Sequence, residues 1–183
     1  MKKFGVVCCV VGVCVFAANV NAATYTGSVE YTAGSGSNQA TIAIDFDFGN
    51  SFLFNYQWDG IATGWDALAA IDTAGALDVD AIWYGEMAAH FVSDFDYAGG
   101  LEYDYGSAYA GWAYYGSTNN EIWTLKSGVD SRTLVNGCYD SWVWTNYDLN
   151  WIAIRQPGQM PIPEPVTILL FGLGGLLIRK CRA

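Results

Sequence analysis

The chain has 183 residues, of which 52% are hydrophobic and 14% are charged, and its 18 acidic and 8 basic residues give a formal net charge of -10. This length allows one domain with tails, and the excess of acids excludes a protein that neutralises nucleic-acid phosphates. The aromatic content of 16% excludes a disordered chain, because it supplies enough apolar surface for a core.

Residues 1–23 predict a secretory signal peptide. Lys2 and Lys3 precede an apolar stretch from Phe4 to Ala18, and the small-residue sequence Val20-Asn21-Ala22 follows it. The alternative is a membrane anchor or a buried helix, but about 15 apolar residues are fewer than the roughly 20 that span a bilayer. We therefore expect signal peptidase to remove this segment and the body to be exported.

Cysteine is scarce in the predicted body. Of five cysteines, only Cys138 lies between the signal peptide and the C-terminal tail. An intramolecular disulfide is therefore not expected in the exported domain. We predict that Cys138 is a small buried apolar residue, and a reactive thiol is the alternative.

Residues 24–157 predict one β-rich domain. A strand is expected at 25–32, and the alternation in 39–58 predicts a hairpin around Gly49-Asn50, with Ile42, Ile44 and Phe46 on one face. Helical spacing predicts a helix over 64–72 that Gly75 ends. Further strands are predicted at 88–95, 111–115, 121–126, 139–144 and 149–155. The expected fold is α+β, a mixed β-rich sheet with one short helix, between a signal peptide and a short hydrophobic C-terminal helix.

The motifs of the body resemble the transcobalamin C-terminal-like domain (DUF4430). They are the helix with Trp65-Asp66-Ala67-Leu68, the strand Gly111-Trp112-Ala113-Tyr114-Tyr115, the loop Ser127-Gly128-Val129 and the segment from Leu134 to Trp142. Cys138 stands where that family has an acid. The resemblance covers about 80 residues and implies a small mixed-sheet α+β fold. Some members of the family bind cobalamin, but no ligand contact carries over to a residue of this chain.

Pairs of carboxylates at i and i+2 are the main polar feature of the body. On a strand this spacing puts both side chains on one face, where they could chelate calcium or lie on a solvated surface. The hypothesis of a glycoside hydrolase would also need two carboxyl groups across a cleft. The calcium candidates are Asp45, Asp47, Asp94 and Asp96, and further pairs are Asp78 with Asp80 and Glu102 with Asp104.

Aromatic residues supply a second candidate site. Flat rings on neighbouring strands can stack on sugar rings, or they can pack in the core. The weak candidates for ligand binding are Trp112, Tyr114, Trp142 and Trp144. Catalysis by a nucleophile and a histidine would have to use His90, the single histidine, with Cys138 as one possible partner. No local motif supports such a pair, so a non-enzymatic protein is predicted.

Residues 158–183 have three parts. The first is a Pro-rich, extended segment that contains Pro163-Glu164-Pro165. The second is an apolar segment from Val166 to Ile178, which would measure about 20 Å as a helix. The third is a basic cluster at the end. An apolar helix of this length is short for a span of about 30 Å, and the basic residues would stay on the cytoplasmic side. The basic residues are Arg179, Lys180 and Arg182.

This order resembles the PEP-CTERM protein-sorting signal of Gram-negative bacteria, with an ordinary C-terminal anchor as the alternative. The resemblance implies recognition by the membrane enzyme exosortase, an intermediate held in the inner membrane, and delivery to the cell surface or extracellular matrix of a biofilm. The expected function is therefore a secreted, non-catalytic structural or interaction role. The alternative is a small-ligand or polysaccharide-binding module, with exopolysaccharide as a partner. Between residues 24 and 157 there are 17 acids and 3 bases, so the body itself carries a charge of -14.

Overall fold

The computed structural model describes residues 25, 27–47, 50–98 and 109–160. The predicted signal peptide, the sorting motif, the Phe48-Gly49 part of the turn and the pair of Glu102 and Asp104 lie outside these residues. The described part is β-rich and contains one short helix, as predicted. Its elements are β1 Val29–Gly34, β2 Asn38–Asp47, β3 Asn50–Trp58, α1 Gly64–Ala74, β4 Asp78–Tyr84, β5 Ala89–Asp96, β6 Ala110–Ser117, β7 Thr124–Leu125 and β8 Tyr139–Asn146.

Six strands form one mixed sheet in the order β1-β3-β2-β8-β6-β7. The pairs β1/β3 and β2/β8 are parallel, whereas β2/β3, β6/β8 and β6/β7 are antiparallel. The prediction of a mixed sheet is thus confirmed. Because β2 pairs with β8, the first half of the chain joins the second at the centre of the sheet.

The hairpin of β2 and β3 confirms the predicted alternation. Ile42, Ile44 and Phe46 are buried together with α1 and the β4–β5 hairpin on one side of the sheet. The other face of β2 is also buried, because Ala43 packs with Met160, which lies beyond the last strand. The segment after β8 therefore covers the second face of the sheet, and β2 is enclosed on both sides.

Local signals in the sequence set the ends of α1. Thr63 is the N-cap, and its hydroxyl accepts from the Asp66 amide while the Asp66 carboxylate accepts from the Thr63 amide at 2.7 Å. Such a capping box satisfies two amides that the helix leaves unpaired, and it is worth about 1 kcal/mol. Ala67, Leu68 and Ile71 form the buried face, and Gly75 ends the helix as predicted.

The strands β4 and β5 form a separate two-stranded hairpin, of which only β5 was predicted. Val92 and Phe95 point into the core. Ile82 and Phe91, which are partners across the hairpin, are each about half exposed, at 52% and 47%. The hairpin therefore buries one face against the main sheet and presents the other to solvent.

Two predicted strands are corrected. The strand at 121–126 shrinks to β7, because the side chain of Asn119 accepts hydrogen bonds from the amides of Glu121 and Ile122 and forms a turn there. The strand at 149–155 is wrong. The Asp148 carboxylate accepts from the amides of Asn150 and Ile152, each at 2.8 Å, so the chain turns back there and forms only an isolated bridge between Tyr147 and Ala153.

Candidate ligand-binding site

The four predicted aromatic residues lie on β6 and β8, where Trp112 pairs with Trp144 and Tyr114 pairs with Trp142. Exposure of Trp112, Tyr114 and Trp142 is only 5–7%, so these three residues pack in the core, which is the second of the two interpretations given above. The reason is that Phe95 of the β4–β5 hairpin packs edge-on against Trp112 at 4.8 Å and against Trp142 at 5.4 Å. Trp144 is half-buried.

These buried rings nevertheless border a pocket of about 200 Å³ that we call the aromatic pocket. Tyr114 and Trp142 are stacked at 4.4 Å with nearly parallel planes, so each covers one face of the other. Both polar and apolar side chains form the other sides of the pocket, and the apolar ones include Phe91, Leu125 and Val129. Its lining includes Trp112, Tyr114, Trp142, His90, Lys126 and Ser127.

His90 is held firmly in the lining of the aromatic pocket. Its amide donates to the Asp130 carboxylate at 2.6 Å, and its ring Nδ1 lies 2.8 Å from the other oxygen of the same carboxylate. The ring stacks on Trp65 of α1 at 3.6 Å and also contacts Trp83 at 4.7 Å. Since an ionised carboxylate only accepts, Nδ1 of the ring is the donor in this contact.

The partner of His90 is therefore Asp130 and not Cys138. Cys138 is buried in the main core, as predicted, and burial raises the pKa of its thiol. Nucleophilic catalysis needs a hydrogen bond between the nucleophile and its base. Within the described ranges, no hydrogen bond joins His90 to a serine or to a cysteine.

Below the pocket lies a buried polar network. The Tyr114 hydroxyl donates to one oxygen of Asp140, and Arg132 donates to the other through Nε at 3.1 Å and through its terminal nitrogen at 3.0 Å. Burial raises the pKa of Asp140, although these hydrogen bonds and the charge of Arg132 act in the opposite direction. Burial lowers the pKa of Arg132, but the charge and hydrogen bond of Asp140 outweigh it and raise the pKa.

We expect the effect of Asp140→Asn on stability to depend on pH. A carboxyl group with a raised pKa in the folded state stabilises the fold below its unfolded pKa of about 3.9, and it loses this contribution as the pH rises through the folded pKa. The side-chain oxygen of asparagine can still accept hydrogen bonds from Arg132, but the side chain carries no charge. The variant should therefore gain stability relative to the wild type as the pH rises from about 4 to about 8.

Urea unfolding of both proteins at several pH values measures this difference. Charges elsewhere in the body cancel in the comparison, because both proteins share them. A variant that loses stability relative to the wild type as the pH rises would show that the ion pair with Arg132 outweighs the burial of Asp140.

A second pocket of about 240 Å³ adjoins the first, and we call it the hydroxyl pocket. Lys126 lines both pockets. Its amide donates to the Tyr114 carbonyl at 2.8 Å, so its backbone is fixed against β6. Polar residues dominate the lining, which includes Ser117, Thr118, Asn119, Thr124, Lys126 and Arg132.

Gly116 makes room for the two cations beside β6. A Cβ atom at this position would lie 2.7 Å from Cε of Lys126 and 2.9 Å from Nε of Arg132. Both distances are too short for any real side chain, so the two long side chains can cross the strand only where it has none.

The acidic pairs of the described part lie in different environments. Asp45 is fully buried and forms an ion pair with Arg155 at 2.8 Å, so the alternative that it lies on a solvated face is wrong. The Asp94 carboxylate accepts from the Trp112 indole at 3.1 Å, and Asp96 is exposed opposite Asp78. The side chain of Asp47 lies outside the described part. No group of three or more His, Cys, Asp or Glu in the described part could hold a metal ion.

Sequence reasoning missed three residues of this site, which are Lys126, Asp130 and Arg132. Each lies in or beside a short loop between β6 and β8, and no local pattern relates Asp130 to His90, which lies 40 residues earlier. One signal was present. Only three basic residues occur in the body beside 17 acids, so each of the three was a candidate partner for a buried carboxylate.

Two findings bear on the chain as a whole. Among the residues that the structure describes, no helix combines the length and the apolar character that a membrane span requires. Comparison with known protein families, with curated proteins and with solved structures finds no match for this chain.

Proposed function

We propose that this chain is an exported protein that exosortase delivers to the cell surface or extracellular matrix of a Gram-negative bacterium. One observation carries the proposal, namely the order of Pro163-Glu164-Pro165, an apolar segment and the basic residues Arg179, Lys180 and Arg182 in a chain that begins with a signal-peptide pattern. The inner membrane holds the protein only as an intermediate. Signal peptidase and exosortase are its processing partners.

The proposed role of the body is non-catalytic. In support of this, the hydrogen bonds of His90 in the described part join it to Asp130 and to no nucleophilic side chain, and the carboxylate of Asp45 is engaged by Arg155. The resemblance to the transcobalamin C-terminal-like domain is proposed at the level of the fold alone. It is supported by a helix that precedes β5, β6 and β8 in the order of the family motifs.

We expect Glu164→Gln to block delivery to the surface, because the Pro163-Glu164-Pro165 motif would lose its only charged side chain. Deletion of residues 179–182 should have the same effect, since the basic cluster keeps the end of the chain on the cytoplasmic side. The measurement is the fraction of protein accessible to protease on intact cells of a strain that carries exosortase. Glu121→Gln, at an exposed acid of the body, is the matched control. Normal delivery of both altered proteins would refute the proposed sorting.

A second candidate function is the binding of a saccharide by the body. It is favoured by the adjoining aromatic and hydroxyl pockets, which offer apolar ring surface beside hydroxyl and amide groups. Ser127→Phe should fill the mouth of the aromatic pocket while leaving the core intact, since Ser127 is exposed. Calorimetric titration with a neutral and an acidic disaccharide tests the function. It would be refuted if neither disaccharide bound, or if Ser127→Phe bound as tightly as the wild type.

A further inference from the structure

We infer that the two pockets bind an acidic saccharide, a sugar chain that carries carboxylates, and that Lys126 is the residue that recognises the carboxylate. This inference rests on the proposed saccharide binding and specifies its ligand. Three observations lead to it, which are the charge state of the body, the position of Lys126 and the size and chemistry of the two pockets.

Two of the three cations of the body form ion pairs, and the third does not. Arg155 forms an ion pair with Asp45, and Arg132 forms one with Asp140. Lys126, the third and last cation of the body, forms no ion pair with any residue of the described part, although its charge acts on the buried carboxylate of Asp140 from a longer distance. A body with a net charge of -14 repels anions over most of its surface, so an anionic ligand must be attracted locally. Lys126 is the side chain that can supply this attraction.

Lys126 lies where the two pockets meet. Its backbone is pinned to β6 by the hydrogen bond to the Tyr114 carbonyl, and its side chain passes over Gly116. The neighbouring Arg132 is already neutralised by Asp140, so it shapes the hydroxyl pocket without competing for the anion. A carboxylate between the pockets would therefore contact Lys126.

The size and lining of the pockets suit two consecutive sugar residues. Their volumes are about 200 and 240 Å³. Each is below the roughly 300 Å³ at which sites for drug-sized ligands begin, so each pocket suits one sugar ring and not a larger ligand. One ring can place its apolar C–H face towards the aromatic pocket. The next ring meets Thr118 and Thr124, which are exposed and whose hydroxyl groups match those of a sugar.

The test compares digalacturonate with its neutral counterpart galactobiose by calorimetric titration of the exported body. The wild type should bind digalacturonate at least tenfold more tightly than galactobiose, because only the acid offers a charge-assisted hydrogen bond to Lys126. Lys126→Gln should lose this preference by about tenfold or more, and Lys126→Arg should keep most of it because it keeps the charge.

A matched control separates a local contact from a change in net charge. Glu86→Gln lies at the exposed tip of the β4–β5 hairpin, so the double variant Lys126→Gln/Glu86→Gln has the net charge of the wild type. The double variant should remain as weak as Lys126→Gln alone. Circular dichroism verifies that each variant is folded.

The outcomes distinguish the inference from the function on which it rests. If both disaccharides bind equally, or if Lys126→Gln keeps the preference for the acid, or if the double variant regains it, the recognition by Lys126 is overturned while saccharide binding stands. If neither disaccharide binds, saccharide binding itself fails and the inference fails with it.

Discussion

Replacement of Arg155 by methionine is expected to lower the free energy of unfolding by about 3–5 kcal/mol, because it removes the positive charge that pairs with the buried carboxylate of Asp45. Asp45 is fully buried, and Arg155 donates to it at 2.8 Å and to the Trp144 carbonyl at 2.7 Å. Domains of this size are stable by about 5–15 kcal/mol, so the loss would be a large part of the total. Urea unfolding followed by tryptophan fluorescence measures it.

The control for Arg155→Met removes both charges. In Asp45→Asn/Arg155→Met the buried carboxylate is gone, and we expect the double variant to recover much of the lost stability, since an apolar or neutral replacement of a whole buried ion pair is often tolerated. A loss below about 1 kcal/mol in the single variant would be typical of a solvated surface pair and would contradict the burial of Asp45.

Gly64→Ala is expected to destabilise the protein by about 1–3 kcal/mol, the usual cost of adding a methyl group to a packed site. Gly64 begins α1, and its amide donates to the Arg132 carbonyl at 2.8 Å, so the helix end is pressed against the loop before β8. A Cβ atom there would overlap the hydroxyl oxygen of Tyr114 and lie 3.0 Å from the Val129 carbonyl oxygen. Thermal and urea unfolding measure the loss.

A double-mutant cycle with Tyr114→Phe tests the cause. Removal of the hydroxyl group makes room for the new methyl group, so the double variant should lose less stability than the sum of the two single variants. Purely additive losses would show that Gly64→Ala acts elsewhere, for instance through the Val129 carbonyl. A stabilised single variant would mean that the helical preference of alanine over glycine outweighs the contact.

The elements that were predicted correctly are those whose ends and faces are set by residues only a few positions apart in the sequence. The helix depends on Thr63 and Asp66 at its start and on Gly75 at its end, and all three act within a few residues. The β2–β3 hairpin depends on an alternation that one strand shows by itself. In contrast, β4 was missed because its alternation is short: Val79 and Ala81 alternate with the exposed Asp78 and Asp80 and pack against the core, but the pattern ends in the exposed run Ile82-Trp83-Tyr84.

The candidate site was predicted less well, because its contacts are distant in the sequence. Trp112 and Trp142 were recognised as binding candidates, but only the packing of Phe95 shows that they are buried. The pairing of Asp45 with Arg155 joins residues 110 positions apart, and a carboxylate at an alternating position of β2 carries no local sign of it. The covering segment after β8 turned a face that was expected to meet solvent into a second core.

The contact between Asn120 and Met160 has a mechanical consequence. Asn120 holds the backbone of Met160 with two hydrogen bonds: its side-chain oxygen accepts from the Met160 amide at 2.9 Å, and its side-chain nitrogen donates to the Met160 carbonyl at 2.7 Å. Met160 also packs against Tyr25. Tension applied to the body through residues that follow Met160 would load these two hydrogen bonds first. It would then reach the ion pair of Arg155 with Asp45, and through Asp45 the central strand β2. The enclosed strand β2 would thus share the pull with the turn at Asn119 and Asn120, which borders the hydroxyl pocket.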